Sequence, residues 1–416
     1  MKNRNLKKIQ ITQKGKRFIR SGHVWVYEGE VKSFDPDIQN GEIVDVYAQN
    51  TYLGSGFYND HSKIRVRILS KNANDVFNTA FFKRRIQYAI DYRKTVMLED
   101  EFKCCRLTHG ESDQLPGLTV DRYNNLLSVQ ITSLGIEERM NEILPLYIEV
   151  LSTMGETIDG VYLRNDVALR KKEGLEIYKR WFDDHHPDSP IVEIIENDIQ
   201  YLVDVENGQK TGFFLDQKYN RKAAGKIAKD KNVLDCFTHT GSFGLNAAKM
   251  GASHVLSVDI SENAINMAKE NAKRNHLSNI EFKVCDVFEL LTELSKQEDH
   301  SYDYIILDPP AFTKSKETIK DAYRGYKEIN LKAMQLVKDK GYLSTCSCSH
   351  FMSNEMFVEM LHDASKDANV TLKKIESRQQ APDHPILLNV PETDYLKFYI
   401  FQVIKNKGEI NNESIS

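Results

Sequence analysis

Apolar and polar positions alternate along the first seventy-five residues. His23-Val-Trp-Val-Tyr27, Ile43-Val-Asp-Val-Tyr47 and Ile64-Arg-Val-Arg-Ile-Leu69 each repeat with period two, which predicts short strands. Asn40-Gly41 and Gly54-Ser-Gly56 read as turns between them, so residues 1–75 are expected to form a small β-barrel or β-roll. From Val76 the period changes. Phe77, Phe81, Phe82 and Ile86, continued by Tyr88 to Arg93, recur at helical spacing. A mixed stretch follows, with strands expected near Thr119-Val-Asp121, over 126–132 and at Gly160-Val-Tyr-Leu163, and a helix over 137–151. This makes 76–188 an α+β region. Asp183-Asp-His-His-Pro-Asp-Ser-Pro190 closes it as a polar, proline-bounded linker. His185 and His186 lack spaced partner ligands, so the linker reading outweighs a metal site and no metal is expected.

Residues 189–406 carry a third pattern, in which strand-like and helical runs alternate. Asn232-Val-Leu-Asp-Cys-Phe237 leads into a small-residue turn and the helical Leu245 to Lys249. His254-Val-Leu-Ser-Val-Asp259 precedes a helix from Glu262 to Asn275. Ile280-Glu-Phe-Lys-Val284 ends at Asp286, and Tyr304-Ile-Ile-Leu-Asp308 runs into two prolines. Such alternation predicts a parallel sheet covered on both faces, the Rossmann-like α/β class. Sheets of this kind bind ligands beyond the C-terminal ends of their strands. The last residues, 407–416, are a polar tail.

Bulk composition changes this picture little. The net charge of −4 gives no reason to expect a polyanionic partner. Its distribution does, because Lys2, Arg4, Lys7, Lys8, Lys14, Lys16, Arg17 and Arg20 crowd the first twenty residues without a carboxylate. Arg65 and Arg67 share a face of their strand by alternation and would add two cations. A solvated terminus competes with an RNA-facing surface on this evidence. No apolar run approaches a membrane span and no signal-like stretch follows the basic end, so a cytoplasmic protein without a membrane partner is expected. The six cysteines are too few and scattered for a disulfide scaffold, and Cys346 and Cys348 are spaced too tightly for a zinc pair.

The chemistry is expected at the strand ends. Thr240, Gly241, Ser242 and Gly244 form a turn through which backbone can approach a ligand closely, although the full GxGxxG of nicotinamide enzymes is absent. Asp259 is placed to bind two ribose hydroxyls, and Asp286 to accept from an exocyclic adenine amine. A single strand-end aspartate is usually a helix cap, and Asp259 before Ser261 reads that way alone. Four in order, Asp235, Asp259, Asp286 and Asp308, are harder to read as capping. Together they point to S-adenosylmethionine.

Asp308-Pro-Pro-Ala-Phe312, with Lys210-Thr-Gly-Phe-Phe-Leu-Asp-Gln217 and Asp235-Cys-Phe-Thr-His-Thr-Gly241, resembles the RlmI-type family of large-subunit ribosomal RNA methyltransferases. Trp25-Val-Tyr27, Gly110-Glu-Ser-Asp-Gln-Leu-Pro-Gly117 and Asp166-Val-Ala-Leu-Arg-Lys-Lys-Glu-Gly174 extend the resemblance over essentially the whole chain. It implies a PUA-like RNA-binding domain (1–75), a middle α+β domain (76–188) and a class I methyltransferase domain (189–406). It further implies S-adenosylmethionine as cofactor and 23S ribosomal RNA as partner, naked or in an assembling large subunit, with a homodimer left open. Phe237 joins the cofactor loop, and Asp216 and Gln217 are expected at the cofactor's methionine end.

The implied target is carbon 5 of a cytosine, which is too weak a nucleophile to take a sulfonium methyl unaided. A thiolate adding to C6 moves electron density onto C5. Tyr342-Leu-Ser-Thr-Cys346-Ser-Cys348-Ser349 supplies two thiols, and spacing alone does not separate them, since both would share a face of a continuing strand. Two small buried cysteines are the bland alternative. The resemblance favours Cys348 as nucleophile. Asp308 is expected to hold the flipped base, Pro309 and Pro310 to fix the backbone, Phe312 to stack on the ring and Lys314 to meet phosphate. Arg221, one helical turn past Gln217, is a candidate for a carboxylate or phosphate. The base that removes the C5 proton stays unassigned: Pro391-Glu-Thr393 echoes a uracil-C5 pattern, but Lys397 stands where its acid would be, and a water held by Asp308 is another route. Methylation of an exocyclic amine, for which Asp308-Pro-Pro would also serve, and a non-catalytic RNA-binding assembly factor are the competing readings.

Overall fold

The computed structural model describes residues 5–297, 300–313 and 315–406. Lys2, Arg4, Lys314 and the tail 407–416 lie outside the described residues. The chain divides into two compact units: 1–196 with 202–216 and 381–393, and 197–201 with 217–380 and 394 onward.

Two sheets lie wholly in the first unit. One has six strands in the order Trp25–Tyr27, Ile64–Ser70, Thr51–Tyr58, Ile43–Ala48, Lys8–Ile11, Val31–Phe34. All three strands expected from alternation are present. Gly54-Ser-Gly56, expected as a turn, lies instead inside the strand Thr51–Tyr58. Close approach explains those glycines: a Cβ on Gly56 would stand 2.1 Å from the Arg67 carbonyl oxygen of the neighbouring strand. The second sheet orders Tyr178–Trp181, Gly160–Asn165, Leu126–Ile131, Leu118–Tyr123 and Cys104–His109. The helices Thr79–Val96 and Met140–Thr153 supply Phe82, Ile86, Ile90, Ile143, Tyr147 and Val150 to its core.

Three of the motifs that carry the family resemblance meet at one buried guanidinium in this unit. Arg67 is only 7% exposed. It donates to Glu111 at 2.9 Å and to Glu173 at 2.8 Å. Trp25 Nε1 donates to the same Glu111 oxygen at 2.9 Å, and Ser62 Oγ to Glu173 at 2.7 Å. The expected pair of strand cations therefore has two fates: Arg67 is enclosed by two carboxylates, whereas Arg65 stays nearer the surface and pairs with Glu28 at 2.5 Å.

The second unit is a seven-stranded sheet. Its elements are α1 (Lys218–Ile227), β1 (Asn232–Cys236), α2 (Ser242–Lys249), β2 (His254–Asp259), α3 (Glu262–Arg274), β3 (Ile280–Val284), α4 (Val287–Lys296), β4 (Tyr304–Leu307), α5 (Ile319–Leu336), β5 (Tyr342–Ser347), α6 (Asn354–Asp367), β6 (Val370–Arg378) and β7 (Lys397–Lys405). Strand order is β3-β2-β1-β4-β5-β7-β6, parallel from β3 to β5, with β7 antiparallel to β5 and β6. Leu234, Cys236, Ile305, Leu307 and Leu343 pack against Tyr326, Ile329 and Met334 of α5 on one face. Because β2 and β4 flank β1, the chain leaves β1 toward one edge and returns on its other side. This is the switch point at which doubly wound sheets open a crevice. Among the described residues no helix is long and apolar enough to cross a membrane.

Replacing Arg67 by Met would leave Glu111 and Glu173 buried without their shared cation, a loss of about 3–5 kcal/mol. Both tryptophans, Trp25 and Trp181, lie in the first unit. Urea unfolding followed by tryptophan fluorescence should show this loss, and an unchanged midpoint would exclude the role assigned to Arg67.

Candidate active site

All of the site's strand ends lie in the second unit. β1 delivers Asp235, whose side chain is fully buried. One carboxylate oxygen accepts from Thr238 Oγ1, from the Gly244 amide at 2.8 Å and from Ser257 Oγ at 3.0 Å. The other, Oδ1, is buried without a hydrogen-bond partner among the described residues, as is Thr240 Oγ1. Burial pushes the Asp235 carboxyl up to about 7, against the three donors that lower it. Phe237 and His239 both hold positive φ, 62° and 52°, and Gly241 (φ 85°) opens α2 with no side-chain cap. Gly244 has no room for a side chain: a Cβ there would lie 2.1 Å from Ser257 Oγ and 2.7 Å from Asp235 Oδ2. The loop thus presents backbone amides and two unsatisfied polar atoms at a switch point, which fits a nucleoside cofactor. His239 is held neutral, its pKa pushed down to about 4 by burial and then by Arg221.

Asp259, at the end of β2, accepts from the His239 amide at 2.9 Å and the Ser261 amide at 2.9 Å, one on each oxygen. The cap of α3 is Ser261, not Asp259. Each Asp259 oxygen keeps a second lone pair for a ribose hydroxyl. Asp286 is the cap of α4, with its Oδ1 accepting from Phe288 at 2.7 Å and Glu289 at 3.1 Å. The cap engages Oδ1, so a cofactor contact would fall to Oδ2.

On the far side of the switch point, the ladder sets Leu307 of β4 opposite Cys236 and Thr345. Asp308 follows at the level of Cys346. Its Oδ1 accepts from Cys346 Sγ at 2.8 Å and from Gln217 Nε2 at 3.1 Å. Gln217 is itself held by Asn220, which donates to Oε1 at 2.6 Å. Sequence reasoning set Gln217 beside the cofactor and missed this contact, because nothing in spacing ties it to a residue ninety positions away.

The two thiols occupy different environments. Cys346 ends up inside β5, 1% exposed, and also contacts the Leu307 carbonyl at 3.3 Å. Burial, and then Asp308, push its thiol well above the ordinary range, so it stays a protonated donor. Cys348 follows the last residue of the strand and is half-buried. Pro309 is buried and Pro310 exposed. Phe312 is half-buried and lies against Tyr326, with ring centroids 4.5 Å apart. Tyr326 in turn accepts from Ser347 Oγ at 3.0 Å. Arg221 is buried in α1, at 1% exposure.

Other expected residues fall in the first unit. Asp216 is buried, with Lys210 Nζ 3.8 Å from its carboxylate. Glu392 of the Pro391-Glu-Thr393 echo stands 3.6 Å from His23. Arg17 and Arg20 lie exposed in the last turn of the helix Gln13–Arg20.

A strand order of 3-2-1-4-5-7-6 and acids closing the strands around the switch point define an S-adenosylmethionine-dependent methyltransferase. Two family models agree: a PUA-like domain over residues 9–71 and a methyltransferase domain over 227–406. Ribosomal RNA large subunit methyltransferase I of Pseudoalteromonas atlantica is 40% identical over 386 residues, covering 92% of this chain and 95% of its own length. The protein of that name from Enterobacter sp. is 36% identical over 400 residues, covering 95% and 99%. The chain belongs to the ribosomal RNA large subunit methyltransferase I family. Two solved structures share the fold at 21% identity, each covering 95% of this chain and 99% of its own: a SAM-dependent methyltransferase of Streptococcus mutans (TM-score 0.79) and a methyltransferase complexed with SAH (TM-score 0.80).

The Asp235 shift has a sign. Between an unfolded value near 4 and the native value of about 7, the folded protein holds a proton that the unfolded chain has released, so stability falls as pH rises through this window. Asp235→Asn should flatten that decline in denaturant unfolding followed by circular dichroism. The same slope in variant and parent would rule out a native-state proton on Asp235.

Proposed function

We propose that this protein methylates carbon 5 of a cytosine in large-subunit ribosomal RNA through a covalent adduct between Cys348 and C6. The observation that carries the reading is the division between the thiols. Cys346 is buried and donates to Asp308, while Cys348 stands past the end of β5 at the ligand-binding edge. Bound S-adenosylmethionine supplies an electrophilic methyl group, held by the Asp235–Ser242 loop, Asp259 and Asp286. Asp308, fixed through Oδ1 by Gln217 and Cys346, accepts from the N4 amine and protonated N3 of the flipped cytosine, which favours attack at C6. The Cys348 thiolate adds to C6 and C5 becomes nucleophilic. C5 would then take the sulfonium methyl as its S–CH3 bond breaks, after which transfer of the C5 proton to water and expulsion of the thiolate restore the ring. Phe312, steadied by Tyr326, offers the stacking face. Exposed Arg17 and Arg20, with Arg65, supply phosphate contacts in the PUA-like region, and Arg67 is excluded by its enclosure between Glu111 and Glu173.

Changing Cys348 to Ala should lower methyl transfer to unmodified ribosomal RNA by about a thousandfold or more, whereas Cys346→Ala should retain measurable turnover. Bisulfite sequencing of ribosomal RNA from a deletion strain should show one cytosine losing protection. Full turnover by the Cys348 variant, or no cytosine affected, would favour an exocyclic-amine target instead.

A further inference from the structure

Lys397 is a charged residue at an apolar address. It opens β7 and is the cross-strand partner of Ser347, one residue before Cys348. Its side chain is buried, with only 5% exposure. The ammonium is clamped between two backbone carbonyls, that of Ser349 at 2.6 Å and that of Tyr395 at 2.8 Å. A lysine carries three donors, so the clamp leaves one for a further acceptor. Among the described residues no carboxylate forms an ion pair with it. Carbonyls alone compensate poorly for a buried ammonium, and burial pushes Lys397 down to about 8. Asp394 and Cys348 act on it electrostatically, both in the direction that favours the ammonium.

We propose that Lys397 is a positioning residue for the methyl transfer: its ammonium, anchored on the Ser349 carbonyl next to Cys348 and on the Tyr395 carbonyl of its own segment, holds the Cys348 sulfur as the thiolate. The thiol proton passes to water and the lysine remains protonated, so charge balances as an ammonium–thiolate pair. This rests on the reading of Cys348 as nucleophile. Other groups around the pair act in known directions. Asp394 favours the ammonium, Tyr326 from α5 is kept protonated by burial, and Cys346 is a neutral donor on Asp308. Lys397 brings a positive charge toward the sulfur.

The test is the pH dependence of Cys348 alkylation by iodoacetamide in the full chain, resolved from the other cysteines by peptide mass spectrometry. In the parent protein the rate should reach half its maximum below the ordinary thiol value of about 8.5. Lys397→Met should move that midpoint up by about one unit or more, and Lys397→Arg should move it less. Methyl transfer by Lys397→Met should fall about tenfold or more at pH 7 and recover as pH rises, following the thiolate fraction. Superimposable alkylation curves for the parent and Lys397→Met would overturn the proposal. Should the Met variant not fold, the parent alone decides: a Cys348 midpoint at or above the ordinary thiol value also overturns it. Failure of the nucleophile reading looks different, since Cys348→Ala would then keep its activity whatever the alkylation profile.

Discussion

The parallel pairing of β1 with β4 is the constraint on which the site depends. It puts the turn after Cys236 and the turn after Leu307 side by side at one edge of the sheet, while their chains depart in opposite directions. A crevice follows from that divergence without any specialised residue. One wall is built from the Asp235–Ser242 loop, Asp259 and Asp286, which suit a nucleoside. The other is built from Asp308 and the end of β5. Methyl transfer needs two such walls, because donor and acceptor carbon must meet in line.

The acceptor wall shows how burial distributes chemical roles between similar side chains. Cys346 and Cys348 are two residues apart, yet the end of a strand lies between them. Inside the ladder a thiol has no water to stabilise its charge, so Cys346 serves as a donor that fixes Asp308. Past the ladder Cys348 is half-buried rather than enclosed. Gln217 completes the arrangement from α1 by donating to the same Asp308 oxygen. The carboxylate is thus held in one orientation by two donors on a single oxygen, the kind of preorganisation on which the proposed mechanism relies.

Much of this was legible in the sequence, for physical reasons. Strand-helix alternation in the second unit is enforced by burial of a parallel sheet on both faces, and its strand-end aspartates appear in order because each closes a strand at one edge. Other features were hidden. Gly54 and Gly56 read as a turn because a close backbone approach and a turn make the same demand for a missing side chain. Arg67 read as a surface cation because alternation predicts a face but not what covers it; Glu111 and Glu173 come from distant parts of the chain. The Asp308–Gln217 contact and the burial of Lys397 are likewise products of tertiary packing. The strand Cys104–His109 escaped notice since a register shift between Arg106 and Thr108 breaks its alternation.

The central claim is that a sulfur of this chain bonds to C6 of a cytosine during turnover. Ribosomal RNA carrying 5-fluorocytidine tests it most directly, because fluorine at C5 cannot leave as a proton does and the adduct is trapped. Incubation with S-adenosylmethionine should yield a denaturant-stable protein–RNA complex whose crosslinked peptide contains Cys348, and Cys348→Ala should yield none. Methylation of ordinary RNA with no trapped complex, or a crosslink that maps to Cys346, would contradict the account.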